Sequence, residues 1–206
     1  MTIELQWLAA GATVALLVLY EAATAWAQQR HPAQLARSAH AGLREDWFEA
    51  VSQQKGSEIL AVQTLRNSLM SATMTASTAA LGLVGTLTLA APSLHDANTA
   101  PLSVRLAFEL VLIALLFASL LASAMAVRYF NHAGFICGMP TDSPARQQWA
   151  AQGAAYVRRA GLLYSWGLRH LVLVAPILAA LLHPLAGPPA ALAVIVVLFG
   201  FDRVVS

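Results

Sequence analysis

The chain has 206 residues, of which 58% are hydrophobic and only 11% are charged. Twelve Lys and Arg residues against ten Asp and Glu residues give a formal net charge of +2, whereas an average soluble domain carries about 25% charged residues. Asp, Glu, Lys and Arg are absent from three long segments, 67–95, 110–127 and 170–201. This composition excludes an ordinary water-soluble enzyme, a disordered chain and a basic nucleic-acid-binding protein. It predicts an all-α fold, an integral membrane helical bundle.

Long apolar stretches mark the candidate membrane spans. A helix needs about 20 apolar residues to cross a hydrocarbon core of about 30 Å. On this criterion we predict spans at 5–27, 59–91, 102–127, 162–182 and 190–203. Pro184, Pro188 and Pro189 precede the last stretch, and proline interrupts a helix. The sequence therefore predicts one domain, 1–206, with four long spans or four plus a short proline-separated C-terminal span.

Basic residues near the span ends predict the orientation of the chain. Segments 28–58 and 128–161 together hold eight Arg and Lys residues, whereas the segments that connect the other spans hold none. Basic residues concentrate in cytoplasmic loops, so we place the N-terminus outside and both long connections in the cytoplasm. The excess of Arg over Lys and the abundant Ala favour a bacterial source, and hence a bacterial inner membrane.

The proline-broken C-terminal region allows two topologies. One kinked span would leave the C-terminus outside, whereas a hairpin would return it to the cytoplasm. We prefer the hairpin, because it places Arg169 and Arg203 on the same, cytoplasmic side.

A cleavable signal peptide is the alternative interpretation of the first span. Ala25-Trp26-Ala27 matches the small-x-small pattern of a cleavage site. A basic stretch should precede the apolar core of a signal peptide, but Glu4 occupies that place. We therefore expect segment 5–27 to remain as a span.

Both long connections are predicted to be helical. In the first, 30–58, apolar side chains recur at every fourth residue, which is typical of an amphipathic helix on the membrane surface or against extensions of the spans. These residues are Leu35, Ala39, Leu43, Trp47 and Val51. In the second, 143–160, Ser143 and Pro144 predict a helix start that leads into the fourth span.

Small residues form regular ladders in two of the spans. The ladder residues are Ala114, Ala118, Ala122 and Ala126 in the third span, and Ser68, Ala72 and Ala76 in the second. Small side chains allow helices to approach closely in lipid, so the ladders predict packing within a small bundle. The alternative is a polar seam along a pore or an oligomer contact, because Ser and Thr are frequent between 68 and 88.

Polar and ionisable side chains collect near the predicted cytoplasmic ends of the spans. They are Arg66, Asn67, Arg128, Asn131, His132, Arg169 and Glu21. On the predicted topology all of them lie at a similar depth, and the basic groups outnumber the acidic one. Guanidinium and amide donors without matching carboxylates are suited to bind an anion or a lipid headgroup. The alternatives are Arg side chains that extend to the interface, an ion pair of Glu21 with one Arg, and a polar network that fixes the helix ends.

Four segments resemble the motifs of a known family. The most distinctive is 62–70, Val-Gln-Thr-Leu-Arg-Asn-Ser-Leu-Met, and the second is 128–134, Arg-Tyr-Phe-Asn-His-Ala-Gly. Two shorter segments are Arg44-x-x-Trp47 and Gly167-Leu168-Arg169. On these segments, which fall within about 44–170, the chain resembles domain of unknown function 599, small multi-pass membrane proteins of bacteria with plant relatives. The resemblance implies a membrane location and no particular activity.

Two classes of function remain open for such a protein. We expect an oligomeric channel or small transporter, a homo-oligomer in the lipid bilayer with an anion-favouring Arg/Asn/His cluster near its cytoplasmic mouth. The alternative is a non-transport scaffold or accessory subunit that binds lipid headgroups or a partner protein. We expect no enzymatic activity, because the sequence has no nucleophile–base pair at useful spacing and no paired catalytic carboxylates. One Cys and six His without metal-ligand spacing predict no disulfide, no metal and no cofactor.

Overall fold

The computed structural model describes residues 2–30, 35–96 and 102–203. Across these residues the chain forms seven α-helices and one short 3₁₀ turn at Pro184–Ala186, and it forms no β-sheet. The helices are α1 (Ile3–Arg30), α2 (Ala36–Gln53), α3 (Glu58–Asp96), α4 (Val104–Cys137), α5 (Pro144–Val172), α6 (Val174–Leu182) and α7 (Gly187–Asp202). The prediction of an all-α fold is confirmed.

Five helical segments in the described ranges are long and apolar enough to cross a membrane. They are Ile3–Arg30, Glu58–His95, Val104–Cys137, Pro144–Leu182 and Pro184–Asp202. Each predicted span overlaps one of them, and several helices run well beyond the predicted ends. Apolar length sets only the minimum for crossing a bilayer, whereas local capping decides where a helix begins. At α4, for example, the Ser103 hydroxyl accepts a hydrogen bond from the amide of Leu106 at 3.1 Å.

α5 and α6 form one long rod with a single break at Leu173. Pro176 accounts for the break. Its backbone nitrogen has no N–H to donate to the carbonyl oxygen of Val172, and its ring clashes with that carbonyl group. At the other end of the rod, the Ser143 hydroxyl accepts a hydrogen bond from the amide of Arg146 at 3.2 Å. The predicted cap is therefore present, and the second connection continues into the fourth span without a loop.

α3 packs antiparallel against α4. The Val62 side chain lies against Gly138 at one end of the contact, and Leu116 lies against Gly82 farther along. This register puts Arg66 and its neighbours on α3 level with the residues around Ala133 on α4. The two helices therefore bring two of the family-like segments together.

The predicted ladder residues differ in burial. Ala72 and Ala126 are completely buried at 0% exposure, so they allow the close helix approach that lipid-embedded helices require. The partly buried ladder residues are Ser68, Ala76, Ala118 and Ala122. Ala114 lies on the exposed face of α4, since α3 and α5 both pack against other sides of this helix.

α4 and α5 approach very closely at Gly167. A β-carbon at Gly167 would overlap the hydroxyl of Ser123 and would lie 3.2 Å from the carbonyl oxygen of Ser119. The Ser119 hydroxyl donates a hydrogen bond to the carbonyl oxygen of Gly167 at 2.7 Å. Both serines are fully buried, so only a residue without a side chain fits at this crossing.

Replacing Gly167 with alanine is expected to reduce the stability of the fold by about 1–3 kcal/mol, because the added methyl group forces α4 and α5 apart. Alanine at Gly134, where no atom beyond the adjacent backbone of α4 lies within 4 Å of the β-carbon position, is expected to stabilise α4 by up to about 1 kcal/mol. Thermal unfolding of both variants in one detergent, followed by tryptophan fluorescence, measures the two shifts. Shifts of the same sign and size would contradict the close approach.

α2 packs across α5 at one end of the bundle, which we call the α2 end. The ring of Phe48 fills the space beside Gly153, and the guanidinium of Arg44 lies 2.6 Å from the β-carbon position of Gly161. The buried residues of α2 are Ala36, Ala41, Phe48 and Val51, so the helix is amphipathic as predicted. The buried face is shifted from the predicted one, because Leu43 is 63% exposed. The glycines of α5 leave room for the large Phe48 ring, which therefore occupies the interface.

The C-terminal region is a hairpin. After the 3₁₀ turn, α7 returns alongside α6, and Gly187 at its start lies against Thr13 of α1. Asp202 at the end of α7 reaches Arg169 near the end of α5. Of the two topologies that the sequence allows, the structure has the hairpin.

Candidate functional site

The predicted polar cluster is divided between two places. Glu21 and Arg169 lie in a buried network between α1, α5 and α7. The remaining five residues are exposed on α3 and α4, nearer the α2 end; they are Arg66, Asn67, Arg128, Asn131 and His132. Gly167, just before Arg169, lies against Ser119, whereas Asn131 is about 18 Å farther along α4 at about 1.5 Å per residue. The expectation of a single shared depth is therefore wrong.

Arg169 is the centre of the buried network, and its side chain is 4% exposed. Its Nε donates to Oε1 of Glu21 at 2.6 Å, and its Nη1 donates to Oδ2 of Asp202 at 2.8 Å. The Tyr20 hydroxyl donates to the same oxygen of Asp202 at 2.7 Å. Two carboxylates thus surround one guanidinium, which leaves Arg169 little positive charge for an added anion. The structure has the alternative arrangement, in which Glu21 forms an ion pair with an Arg.

Arg37 of α2 adds a second cation beside this network. Its guanidinium lies 4.3 Å from the centre of the Trp166 ring, and its Nη1 donates to the side-chain oxygen of Gln28 at 3.3 Å. Burial lowers the pKa of Arg37, and the positive charge of Arg169 lowers this pKa further. With Arg37 included, two guanidinium groups balance the two carboxylates, so the network serves to hold the helices together.

Arg66, Arg128 and His132 share one surface of the α3–α4 pair. Thr64 on α3 and Phe130 on α4 both line a cleft that faces α2. Residues two positions apart point about 200° away from each other around an α-helix. Arg66, Arg128 and His132 therefore face away from α2. We call this surface, together with the adjacent exposed Asn131, the basic surface.

The basic surface carries guanidinium groups without acidic partners. Among the residues that the structure describes, no ion pair involves Arg66 or Arg128. The ring of His132 lies 5.7 Å from that of Tyr156, centre to centre, which keeps the imidazole at the edge of this surface. Exposed guanidinium groups can each donate two hydrogen bonds to a phosphate or carboxylate. The surface is chemically suited to anions.

A third polar group, the guanidinium of Arg44, lies in a cleft of about 270 Å³ between α2, α3, α4 and α5. Arg44 was not among the residues predicted for the site. Arg44 lies in this cleft, which we call the Arg44 cleft, together with Trp47, Ser68 and Phe130. Its Nη1 donates to the carbonyl oxygen of His40 at 3.2 Å, and burial lowers the pKa of Arg44. The available signal was the segment Arg44-x-x-Trp47, which the family resemblance singled out without a role.

A larger cavity of about 450 Å³ lies between α1, α4 and the α5–α6 rod. Its walls are mostly apolar, and Glu21 and His170 are its ionisable side chains. Because Glu21 already accepts a hydrogen bond from Arg169, this cavity belongs to the buried network rather than to the basic surface.

The fold and these polar groups define the class of the protein: an all-helical, multi-pass membrane protein with five candidate spans in its described residues. A family model described as "Protein of unknown function, DUF599" matches residues 8–206. The chain therefore belongs to this family, and the match extends beyond the motif segments in both directions. No curated protein and no solved structure matches the chain.

Proposed function

We propose that this protein is a membrane scaffold or accessory subunit, without enzymatic activity, that binds anionic lipid headgroups through the basic surface. The observation that supports this proposal is the exposure of Arg66 and Arg128 at one end of the α3–α4 pair, without acidic partners among the described residues. In the proposal the α2 end lies in the cytoplasm and the N-terminus outside, because basic residues concentrate on the cytoplasmic side. The cytoplasmic leaflet is also the one that carries a negative surface potential.

The direction of these side chains favours headgroup binding over transport. Arg66, Arg128 and His132 point outward from a single chain, so they meet whatever surrounds the protein in the bilayer. An Arg at a span end keeps its stem on apolar surface while its charged group reaches the interface. Each such cation near an anionic membrane contributes about 1 kcal/mol of attraction. Headgroup binding therefore needs only one chain, whereas a channel built from these groups needs several.

Lipid selectivity tests the proposal. Purified protein in nanodiscs of mixed phosphatidylglycerol and phosphatidylcholine should enrich the anionic lipid around itself. Replacing both Arg66 and Arg128 with alanine is expected to reduce this preference by about fivefold per residue, which corresponds to about 1 kcal/mol for each cation. Mass spectrometry of the co-purified lipids measures the ratio.

The control removes two other exposed cations. The Lys55→Ala/Arg158→Ala double variant also lowers the net charge by two, but Lys55 is paired with Asp142 at 3.0 Å and Arg158 with Glu45 at 3.4 Å. This control should keep most of the lipid preference. If both double variants lose it equally, total charge rather than the basic surface is responsible, and the proposal fails.

An oligomeric anion channel or small transporter is the second candidate, because α3 exposes a hydroxyl-rich face. Ser71 and Thr78 are exposed on one side of α3, two helical turns apart, and several copies that met along this side would line a path with these hydroxyl groups. Each of the two donates a hydrogen bond to a carbonyl oxygen four residues earlier, which leaves no donor for a passing anion. Headgroup binding is therefore the better-supported candidate. Chloride or phosphate flux into proteoliposomes that falls in the Arg66→Ala/Arg128→Ala variant would reverse this order, and absence of flux would remove transport.

A further inference from the structure

We propose that the Arg44 cleft binds one phospholipid molecule, whose phosphate contacts Arg44 and whose glycerol and acyl groups pack against the apolar side chains that line the cleft. The cleft lies on the side of the α3–α4 pair that is covered by α2, and the basic surface lies on the opposite side. This inference therefore goes beyond the proposed function, and it does not depend on Arg66 or Arg128.

The first argument is an uncompensated charge. Arg44 is half-buried, and within the described residues it forms no ion pair. Its hydrogen bond goes to a neutral backbone carbonyl, that of His40, whereas Arg158 beside it on the same face of the bundle has Glu45 as a partner. Removing a cation from water without a counterion is unfavourable. A phosphodiester supplies both the negative charge and the acceptor oxygens for a forked guanidinium.

The second argument is the shape that α5 leaves for the guanidinium. Gly161 is buried, and a β-carbon there would lie 2.6 Å from the Nε, Cζ and Nη1 atoms of Arg44. The missing side chain is thus what allows the charged group to enter the cleft. The guanidinium fills the space beside Gly161, and its Nη1 donates to the carbonyl oxygen of His40 at 3.2 Å, so a charged ligand would find it already placed.

The third argument selects a lipid over a small soluble anion. Around Arg44 the cleft walls are mostly apolar, with contributions from Leu43, Trp47, Phe130 and Val157 beside the hydroxyl groups of Thr64 and Ser68. A soluble anion gains nothing from such walls, whereas glycerol and acyl groups bury apolar surface against them. Trp is also typical of the bilayer interface, where phospholipid phosphates lie.

Native mass spectrometry of the detergent-purified protein tests the assignment. After exhaustive delipidation, the wild-type chain should retain one phospholipid, and Arg44→Gln should reduce its occupancy at least tenfold. Ser68→Leu, which fills the cleft and changes no charge, should reduce the occupancy similarly. Gly161→Ala should also release the lipid, because the added methyl group displaces the guanidinium. Size-exclusion chromatography identifies any variant that fails to fold, and the remaining variants still decide the question.

Three further measurements separate this site from other sources of binding. Arg66→Ala/Arg128→Ala should keep the retained phospholipid even if it loses the general preference for anionic lipid, so the two proposals fail independently. Inorganic phosphate and glycerol 3-phosphate, each added at millimolar concentration, should not displace it. Displacement by either soluble anion, or equal lipid retention by wild type, Arg44→Gln and Ser68→Leu, would overturn the assignment.

Discussion

Replacing Arg169 with alanine is expected to lower the free energy of unfolding by about 3–5 kcal/mol, the usual cost of breaking a buried ion pair from one side. The side chain is 4% exposed and contacts both Glu21 and Asp202. Its loss leaves Glu21 and Asp202, which are both mostly buried, without the guanidinium that both contact. Glu21 belongs to α1 and Asp202 ends α7, so the variant should also loosen the C-terminal hairpin from α1.

Thermal unfolding in detergent measures this effect, with Arg158→Ala as the matched control. Arg158 forms an exposed ion pair, with its side chain 54% accessible, so its loss should cost about 1 kcal/mol or less. A triple variant with Glu21→Gln, Arg169→Met and Asp202→Asn removes all three charges. It should recover part of the lost stability, and a triple variant less stable than Arg169→Ala would contradict the electrostatic explanation.

Replacing Arg146 with alanine is expected to cost about 2–4 kcal/mol. Its side chain is 2% exposed; it donates to the carbonyl oxygen of Ile136 in the last turn of α4, and to the Ser52 hydroxyl of α2 at 3.0 Å. Hydrogen bonds from a charged donor contribute about 1.5–3 kcal/mol each. The guanidinium also places a positive charge at the negative end of the α4 dipole.

Hydrogen exchange distinguishes this effect from a general loss of stability. In Arg146→Ala, the amides of α2 should lose protection before those of the spans, because Arg146 ties α4 to Ser52. Lys55→Ala, whose side chain is 82% exposed, should leave α2 protection unchanged. Uniform loss of protection along the whole chain in Arg146→Ala would contradict a role specific to the α2 end.

The spans and the helical connections could be predicted because they depend on local composition. Long uncharged stretches identify helices that cross a bilayer, and the Ser143-Pro144 cap identifies the start of α5. The hairpin could also be predicted from charge, because it places the basic residues Arg169 and Arg203 on the same side of the membrane. These features depend on residues that are close in sequence or on a simple count of charges.

The polar contacts were harder to predict because they depend on the three-dimensional packing. Nothing near Arg169 in the sequence indicates Asp202 as its partner, and the pair exists only because α7 returns alongside α6. The position of Arg44 likewise depends on Gly161, which lies on another helix. The prediction of a shared depth was wrong for the same reason. Because Gly167 of α5 lies against Ser119 of α4, Arg169 is far from Asn131 along the bundle, and the pattern of a single helix does not reveal this register.

The unbroken course of the chain from Pro144 to Val172 has a mechanical consequence. Gly161, beside Arg44, and Arg169, in the buried network, are about 12 Å apart along the same stiff helix. No break in the helix separates them. A shift of α5 at the α2 end therefore also moves the guanidinium that anchors the C-terminal hairpin to α1.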